Sequence, residues 1–187
     1  MELSIDEQRE LLRIARASIE SAVAGKQSSF QPSMTPQLAL NCGAFVTLHA
    51  HGELRGCIGY IEGIMPLAET VREVAAKAAL EDPRFPPVRT PEVHSIDIEI
   101  SVMSPLQEVK DTSEIVIGRD GLLVESGYHR GLLLPQVATE YGWNRVEFLR
   151  QTCVKARLAP DAWQRTSTKI LRFSVILFSE HDKGGME

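Results

Sequence analysis

The sequence has 187 residues, of which 43% are apolar and 24% charged, and a net charge of −5. This balance is typical of a globular protein and excludes a mostly disordered chain. Because no dense Lys/Arg block is present, nucleic acid ranks last among the partners considered. No window approaches the ~18 apolar residues of a membrane span. Three cysteines without a CxxC pair predict a reducing, cytoplasmic location.

The first half of the chain predicts two helices and a β-hairpin. Ser4 with Glu7 is the pattern of a capping box that opens an N-terminal helix. The β-like runs GAFVTLHA and ELRGCIGY are separated by a turn at His51–Gly52, which predicts a tight hairpin. Pro66 predicts the start of a second helix, because proline suits the first helical turn.

The second half predicts mainly strands. HSIDIEISVM alternates apolar and polar residues, so Asp97 and Glu99 lie on the face opposite the isoleucines. IVIGRDGLLVE is predicted as a hairpin that turns at residues 118–121. Asn144 with Glu147 is predicted to cap a helix in which Val146, Leu149 and Cys153 share a face. TKILRFSVILFSE is apolar on both faces and predicts a central strand. Together these elements indicate an α+β fold, a mainly antiparallel sheet with flanking helices.

Cys57 is the residue that raises a chemical question. Strict alternation along ELRGCIGY places Leu54 on the core face and Arg55 with Cys57 on the other. An arginine that close favours a thiolate, and Gly56 and Gly59 leave room for a ligand beside the sulfur. The alternative is packing, because free cysteine often fills a core and strand glycines also mark a bulge or bend.

Four further residues are candidates for the same chemistry. Glu99 is a candidate acid or base if its strand face lines a cleft, and His129 in the GYHRG turn is a candidate partner for a nucleophilic cysteine. A solvated strand face and a solvated turn are the alternatives. Asp82 and Arg84 lie in a proline-stiffened loop, where they either contact a ligand or anchor the loop. No HExxH motif or Cys/His cluster is present, so no metal site is predicted.

Three stretches together resemble a known family: LRGCIGY at 54–60, ALEDPRFPPV at 79–88 and GLLLPQVATEYGW at 131–143. The chain resembles the AMMECR-one domain family and is similar to its prokaryotic type, the AmmeMemoRadiSam system protein A. The resemblance implies a single AMMECR-one-like domain over residues 1–187, folded as two lobes with the signature near a cleft. It also implies association with Memo-type and radical-SAM proteins, and it implies neither a reaction nor a cofactor.

Two classes of function follow. In the first, the chain is a small enzyme or enzyme subunit of a modification pathway that uses Cys57 as a thiolate. Arg55 then stabilises the thiolate or binds an anion, and Glu99 or His129 handles protons. In the second, the chain is a non-catalytic module that binds a small molecule, a peptide or one of those partners, and Cys57 only packs. The substrate and the oligomeric state stay open.

Overall fold

The computed structural model describes residues 2–26 and 29–181. Its helices are α1 (Ile5–Val23), α2 (Leu67–Leu80), α3 (Pro135–Glu140) and α4 (Arg145–Lys155). Its strands are β1 (Ala44–Ala50), β2 (Glu53–Tyr60), β3 (Ile96–Met103), β4 (Gln107–Glu108), β5 (Asp120–Ser126), β6 (His129–Leu133) and β7 (Lys169–Ser179). The strands pair antiparallel, which confirms the predicted α+β class. Within the described residues, no helix is long and apolar enough to cross a membrane.

The chain divides into two compact units. The first unit comprises Met1–Pro105 and Ile176–Glu187, and the second comprises Leu106–Val175. Residues 169–175 of β7 belong to the second unit and residues 176–179 to the first. The residues predicted as a site fall in the first unit, with one exception, His129 on β6.

The first unit contains a three-stranded antiparallel arrangement in the order β2-β1-β3. His51 and Gly52 join β1 to β2 with φ of 54° and 81°. Positive φ at both central residues is typical of a type I′ turn, whose twist matches the paired strands. The predicted hairpin is therefore confirmed.

One face of these strands packs against α1 and α2 and forms the core of the first unit. Fully buried residues of this core include Ile14, Ile19, Val46, Leu48, Val71, Val74, Ile98 and Ile100. Burying an aliphatic side chain of this size contributes about 1.5–3 kcal/mol. The core therefore fixes which sheet face turns away from the helices.

Local sequence signals place the helix ends well. The predicted capping box of α1 is present, since the Glu7 amide donates to Ser4 Oγ and the Ser4 amide donates to Glu7 Oε2. Pro66 is the N-cap of α2, one residue before the helix begins. The predicted cap of α4 is also present. Of the three residues predicted to share a face, Leu149 and Cys153 are buried together with Phe148, whereas Val146 is exposed.

A β-bulge in β2 changes the face that each residue occupies. Leu48 pairs with Gly56 and His49 pairs with Leu54, so Arg55 is an extra residue with no partner on β1. An inserted residue reverses the alternation on one side of the bulge. The prediction that Leu54 marks the core face is therefore wrong, and its side chain is exposed.

The second unit contains strands in the order β4-β7-β5-β6, so β7 is central there, as predicted. The predicted hairpin at residues 118–121 is wrong. The observed hairpin joins β5 to β6 through Gly127 and Tyr128, which connect the last paired residues, Ser126 and His129. The Asp120 carboxylate accepts a hydrogen bond from the Val116 amide, 2.9 Å away, and this contact holds the preceding segment as a turn.

Candidate functional site

A row of polar side chains crosses the sheet face that lies opposite the helices of the first unit. Thr47 on β1 pairs with Cys57 on β2 and with Glu99 on β3. Residues paired in register lie on the same face of a sheet. The structure therefore brings Cys57 and Glu99 onto one face with Thr47 between them, and their Cα atoms are about 10 Å apart, two interstrand spacings.

The sulfur of Cys57 is half-buried and has a hydrogen-bond donor. The Thr47 hydroxyl donates to Cys57 Sγ across 3.3 Å. Arg84 lies on the other side and donates from Nη2 to the Cys57 carbonyl oxygen, 3.3 Å away. Hydrogen bonding and charge at Asp82 raise the pKa of Arg84, and the Cys57 side chain adds to this effect. A hydroxyl donor and a guanidinium are the groups that stabilise an anionic sulfur.

Asp82 holds this arrangement in place. Its carboxylate is buried and accepts the Cys57 amide at 2.8 Å. It also accepts Arg84 Nε at 3.0 Å, Nη2 at 2.7 Å and the Arg84 amide at 3.1 Å. These hydrogen bonds, led by that from the Arg84 side chain, hold the pKa of Asp82 far below its usual range. Asp82 is therefore an ionised anchor that joins the proline loop to β2.

Arg55 does not occupy the place that strict alternation predicts. The bulge removes it from the Cys57 row, and its Nε donates to Glu92 Oε1 across 3.2 Å. Glu92 lies in a short 3₁₀ helix, Thr90–Ser95, that follows the proline loop. The guanidinium that contacts Cys57 belongs to Arg84, through the Cys57 carbonyl oxygen.

At Gly56 and Gly59, the space that a side chain would need is occupied by other parts of the chain. A Cβ at Gly56 would lie 2.2 Å from the carbonyl oxygen of Ala78 on α2, and a Cβ at Gly59 would lie 2.3 Å from the Phe45 ring. Gly56 is thus required for close packing of α2 on β2. The open space that was expected beside the sulfur is therefore absent at Gly56 and at Gly59.

His129 is exposed at the start of β6, in the second unit. The first unit has its own histidine on the Cys57 face, because His49 pairs with Asp97 in the row beside Thr47. His181 Nε2 lies 2.7 Å from Asp97 Oδ1. Among the described residues, no group of three or more His, Cys, Asp or Glu side chains is arranged to hold a metal ion.

The other two cysteines have a different environment. Cys42 and Cys153 are buried in the hydrophobic clusters of the first and second units. Burial raises the pKa of both thiols. They match the expected behaviour of packing cysteines and serve as internal controls for Cys57.

Sequence reasoning missed Thr47 and Glu92. A two-residue turn at His51–Gly52 and strict pairing place Thr47 opposite Gly56, and the bulge moves it opposite Cys57. The glycines beside Cys57 were the available signal, since strand glycines often accompany bulges. Glu92 carries the capping pattern of its 3₁₀ helix but no signal for its contact with Arg55.

The fold and the site together define a protein of the AMMECR1 family. The family's sequence model matches residues 12–178, which include all residues of the Cys57 site. The chain therefore belongs to this family, as its motifs predict.

Similar proteins occur in archaea. A protein of Methanothermobacter thermautotrophicus is 46% identical over 185 residues, covering 95% of this chain and 96% of that protein. A protein of Methanocaldococcus jannaschii is 44% identical over 191 residues, covering 98% and 94%. The crystal structure of an uncharacterized protein from Pyrococcus horikoshii matches with a TM-score of 0.75 and 41% identity, over 91% of this chain and 90% of that chain.

Proposed function

We propose that this chain is a small enzyme, or an enzyme subunit, that uses Cys57 as a nucleophile. The observation that carries the proposal is the environment of the sulfur. Cys57 is half-buried, accepts a hydrogen bond from Thr47, and lies beside an arginine that a buried aspartate orients. Nucleophilic cysteines occupy partly exposed, electropositive environments of this kind.

The chemistry we propose is transfer of an acyl group. The Cys57 thiolate forms an S–C bond to a carbonyl carbon, and the bond from that carbon to the leaving group breaks. The leaving group takes a proton from Glu99 or from water, and water then hydrolyses the thioester. Glu99 lies on the same sheet face, two strands away from Cys57. It therefore reaches the leaving group only if the substrate extends across the face, or through a water molecule.

The test uses p-nitrophenyl acetate as an acyl donor. We expect release of p-nitrophenolate together with S-acetylation of Cys57, identified by mass spectrometry and by cleavage with hydroxylamine. A Cys57→Ser variant with an unchanged circular dichroism spectrum is expected to lose the Cys57 adduct, while a Cys42→Ser variant keeps it. Acetylation confined to lysines, or a thioester on Cys42 or Cys153, would contradict the proposal.

A binding module is the second candidate, and one observation favours it. Among the described residues, no side chain that could accept the thiol proton is within hydrogen-bond distance of Cys57 Sγ, because Thr47 donates and Arg84 is a cation. In this alternative Asp82 and Arg84 shape a surface for a small molecule, a peptide, or a Memo-type or radical-SAM protein. Co-purification with each protein at micromolar concentration tests the partner form, and the absence of any complex counts against it.

A further inference from the structure

A groove of about 420 Å³ lies beside the bulge of β2, within the first unit. We call it the proline groove. Its lining consists of Arg55, Pro86, Pro87, Arg89, Pro91 and Glu92. Arg55 and Cys57 are two residues apart on β2, so their Cα atoms are separated by about 7 Å at most. Cys57 itself is not part of the lining, so the groove and the candidate nucleophile are neighbours along β2.

The polar donors of the proline groove are almost entirely guanidinium groups. Its three prolines have no N–H, and the Arg89 amide is already bonded to Glu92 Oε2 at 2.8 Å. The Glu92 amide is bonded to the Arg89 carbonyl oxygen. The charged donors of the lining are the side chains of Arg55 and Arg89.

The Arg55 guanidinium is fixed in orientation but keeps donors for a ligand. Its side chain is only 13% exposed, and Nε donates to Glu92. Among residues 2–26 and 29–181, no protein acceptor lies within hydrogen-bond distance of its Nη1 or Nη2. The charged residues of the lining are Arg55, Arg89 and Glu92, so the lining has one more positive than negative charge. Arginine in such a fixed orientation binds carboxylate and phosphate oxygens in pairs.

We propose that the proline groove binds the oxyanion of an organic ligand, a carboxylate or a phosphate attached to an apolar group. The guanidinium groups of Arg55 and Arg89 bind the oxyanion, and the prolines form a rigid apolar wall for the attached group. Because the wall has little conformational freedom, little entropy is lost on binding. This inference rests on the proposed function in one respect, since it assigns the oxyanion to the substrate of Cys57.

The test is a titration of the whole protein followed by amide ¹H–¹⁵N NMR. The probes are benzoate, phenyl phosphate and the neutral analogue benzamide. We expect saturable shifts at Arg55, Arg89 and Glu92, with a dissociation constant of about 1 mM, for at least one oxyanion and none for benzamide. A response to benzoate alone assigns a carboxylate, and a response to phenyl phosphate alone assigns a phosphate.

Variants identify the groups responsible. Arg89→Gln is expected to weaken binding roughly tenfold, since a charge-assisted hydrogen bond is lost, and Arg55→Gln is expected to abolish it. Arg13→Gln is the matched control, because Arg13 is an exposed arginine on α1 that pairs with Glu10, and it should bind normally. If Arg55→Gln loses the native spectrum, Arg89→Gln carries the test.

The possible results separate the two proposals. No saturable shift with either oxyanion overturns the inference, and so does equal binding by the wild-type protein and Arg89→Gln. If Cys57 is acylated by p-nitrophenyl acetate while no oxyanion binds, the thiol proposal stands and the groove proposal fails. If an oxyanion binds and Cys57 is inert, the groove is a ligand site of a binding module.

Discussion

Each unit contains a buried aspartate that holds an arginine, and the two pairs are nearly identical. The Asp82 side chain is 2% exposed and that of its partner Arg84 is 54% exposed. The Asp120 side chain is 5% exposed, and that of its partner Arg119 is also 54% exposed. In both pairs, Nε and Nη2 of the arginine contact the two carboxylate oxygens. Each buried carboxylate thus exchanges hydration for an arginine fork and backbone amides.

The two pairs differ in what else they hold. Asp120 accepts the amide of Val116, four residues before it, and so closes a local turn. It also lies 3.9 Å from Arg172. Asp82 accepts the amide of Cys57, 25 residues away, and orients Arg84 beside the sulfur. The comparison teaches that a buried Asp–Arg pair is not by itself a sign of function. The group next to the pair indicates whether it has a function, and of these two pairs only Asp82–Arg84 lies next to a thiol.

The largest expected effect is loss of stability when either carboxylate is replaced. Asp82→Asn and Asp120→Asn should each lower the free energy of unfolding by about 1–3 kcal/mol, because each removes a buried carboxylate that accepts hydrogen bonds from an arginine and a backbone amide. Urea unfolding measures this change. Only Asp82→Asn should also change the rate at which iodoacetamide alkylates Cys57. An equal change in Asp120→Asn would remove the distinction between the two pairs.

Acid should weaken the protein partly through Asp82. Its pKa is lower in the folded state than in the unfolded chain, first through the Arg84 hydrogen bond. The stabilisation is therefore present above the unfolded value of about 3.9 and is lost as the pH falls toward the folded pKa. We expect the stability difference between wild type and Asp82→Asn to shrink between pH 5 and pH 2. A difference that is constant over this window argues against an ionised Asp82.

The two arginines provide a second matched pair. Arg84→Gln and Arg119→Gln remove side chains of equal exposure and each leaves a buried aspartate without its cation, so both should reduce stability by similar amounts. We expect Arg84→Gln to slow alkylation of Cys57 several-fold, because a cation beside the sulfur is lost. Arg119→Gln should leave that rate unchanged. Mass spectrometry of the labelled peptides measures both rates, and faster labelling in Arg84→Gln would mean that Arg84 mainly covers the sulfur.

The smallest effect is expected from hydroxyl groups. Thr47→Val removes the donor to Cys57 Sγ, a hydrogen bond of about 1 kcal/mol, and should slow alkylation by roughly two- to tenfold. Thr152→Val is the control in the second unit, since Thr152 Oγ1 donates to the Phe148 carbonyl oxygen. It should change stability by a similar amount and leave the alkylation of Cys57 as it is. Equal rates in wild type and Thr47→Val would show that the hydroxyl does not act on the sulfur.

The sequence predicts the elements of this fold better than their register. The hairpin at His51–Gly52 and the cap of α1 follow from local chemistry, because turn and cap residues act within a few positions of the chain. The bulge at Arg55 does not follow from local chemistry, and it lies next to Gly56, which packs against Ala78 on a distant helix. A single inserted residue thus changes the partner of Cys57 and the identity of the nearby guanidinium.

The sequence pointed to some residues that the structure places near Cys57, but not to Thr47 and not to the geometry. Cys57, Glu99, Asp82 and Arg84 lie in the first unit and, with Thr47, surround one sheet face. Their contacts depend on tertiary pairing between residues 10 to 27 positions apart, which no local pattern specifies. The functional roles of all the candidate residues stay predictions: Cys57, Arg55, Glu99, His129, Gly56, Gly59, Asp82 and Arg84.

The central claim is that Cys57 is a reactive thiol in a protein whose other cysteines are packed. The most direct measurement is the alkylation rate of each cysteine in the folded protein as the pH is raised, followed by mass spectrometry. Burial raises the pKa of Cys42 and Cys153, so we predict that Cys57 reacts first and at a lower pH than either. If Cys57 stays protected until the protein unfolds, it is a packing residue, and the claim is contradicted.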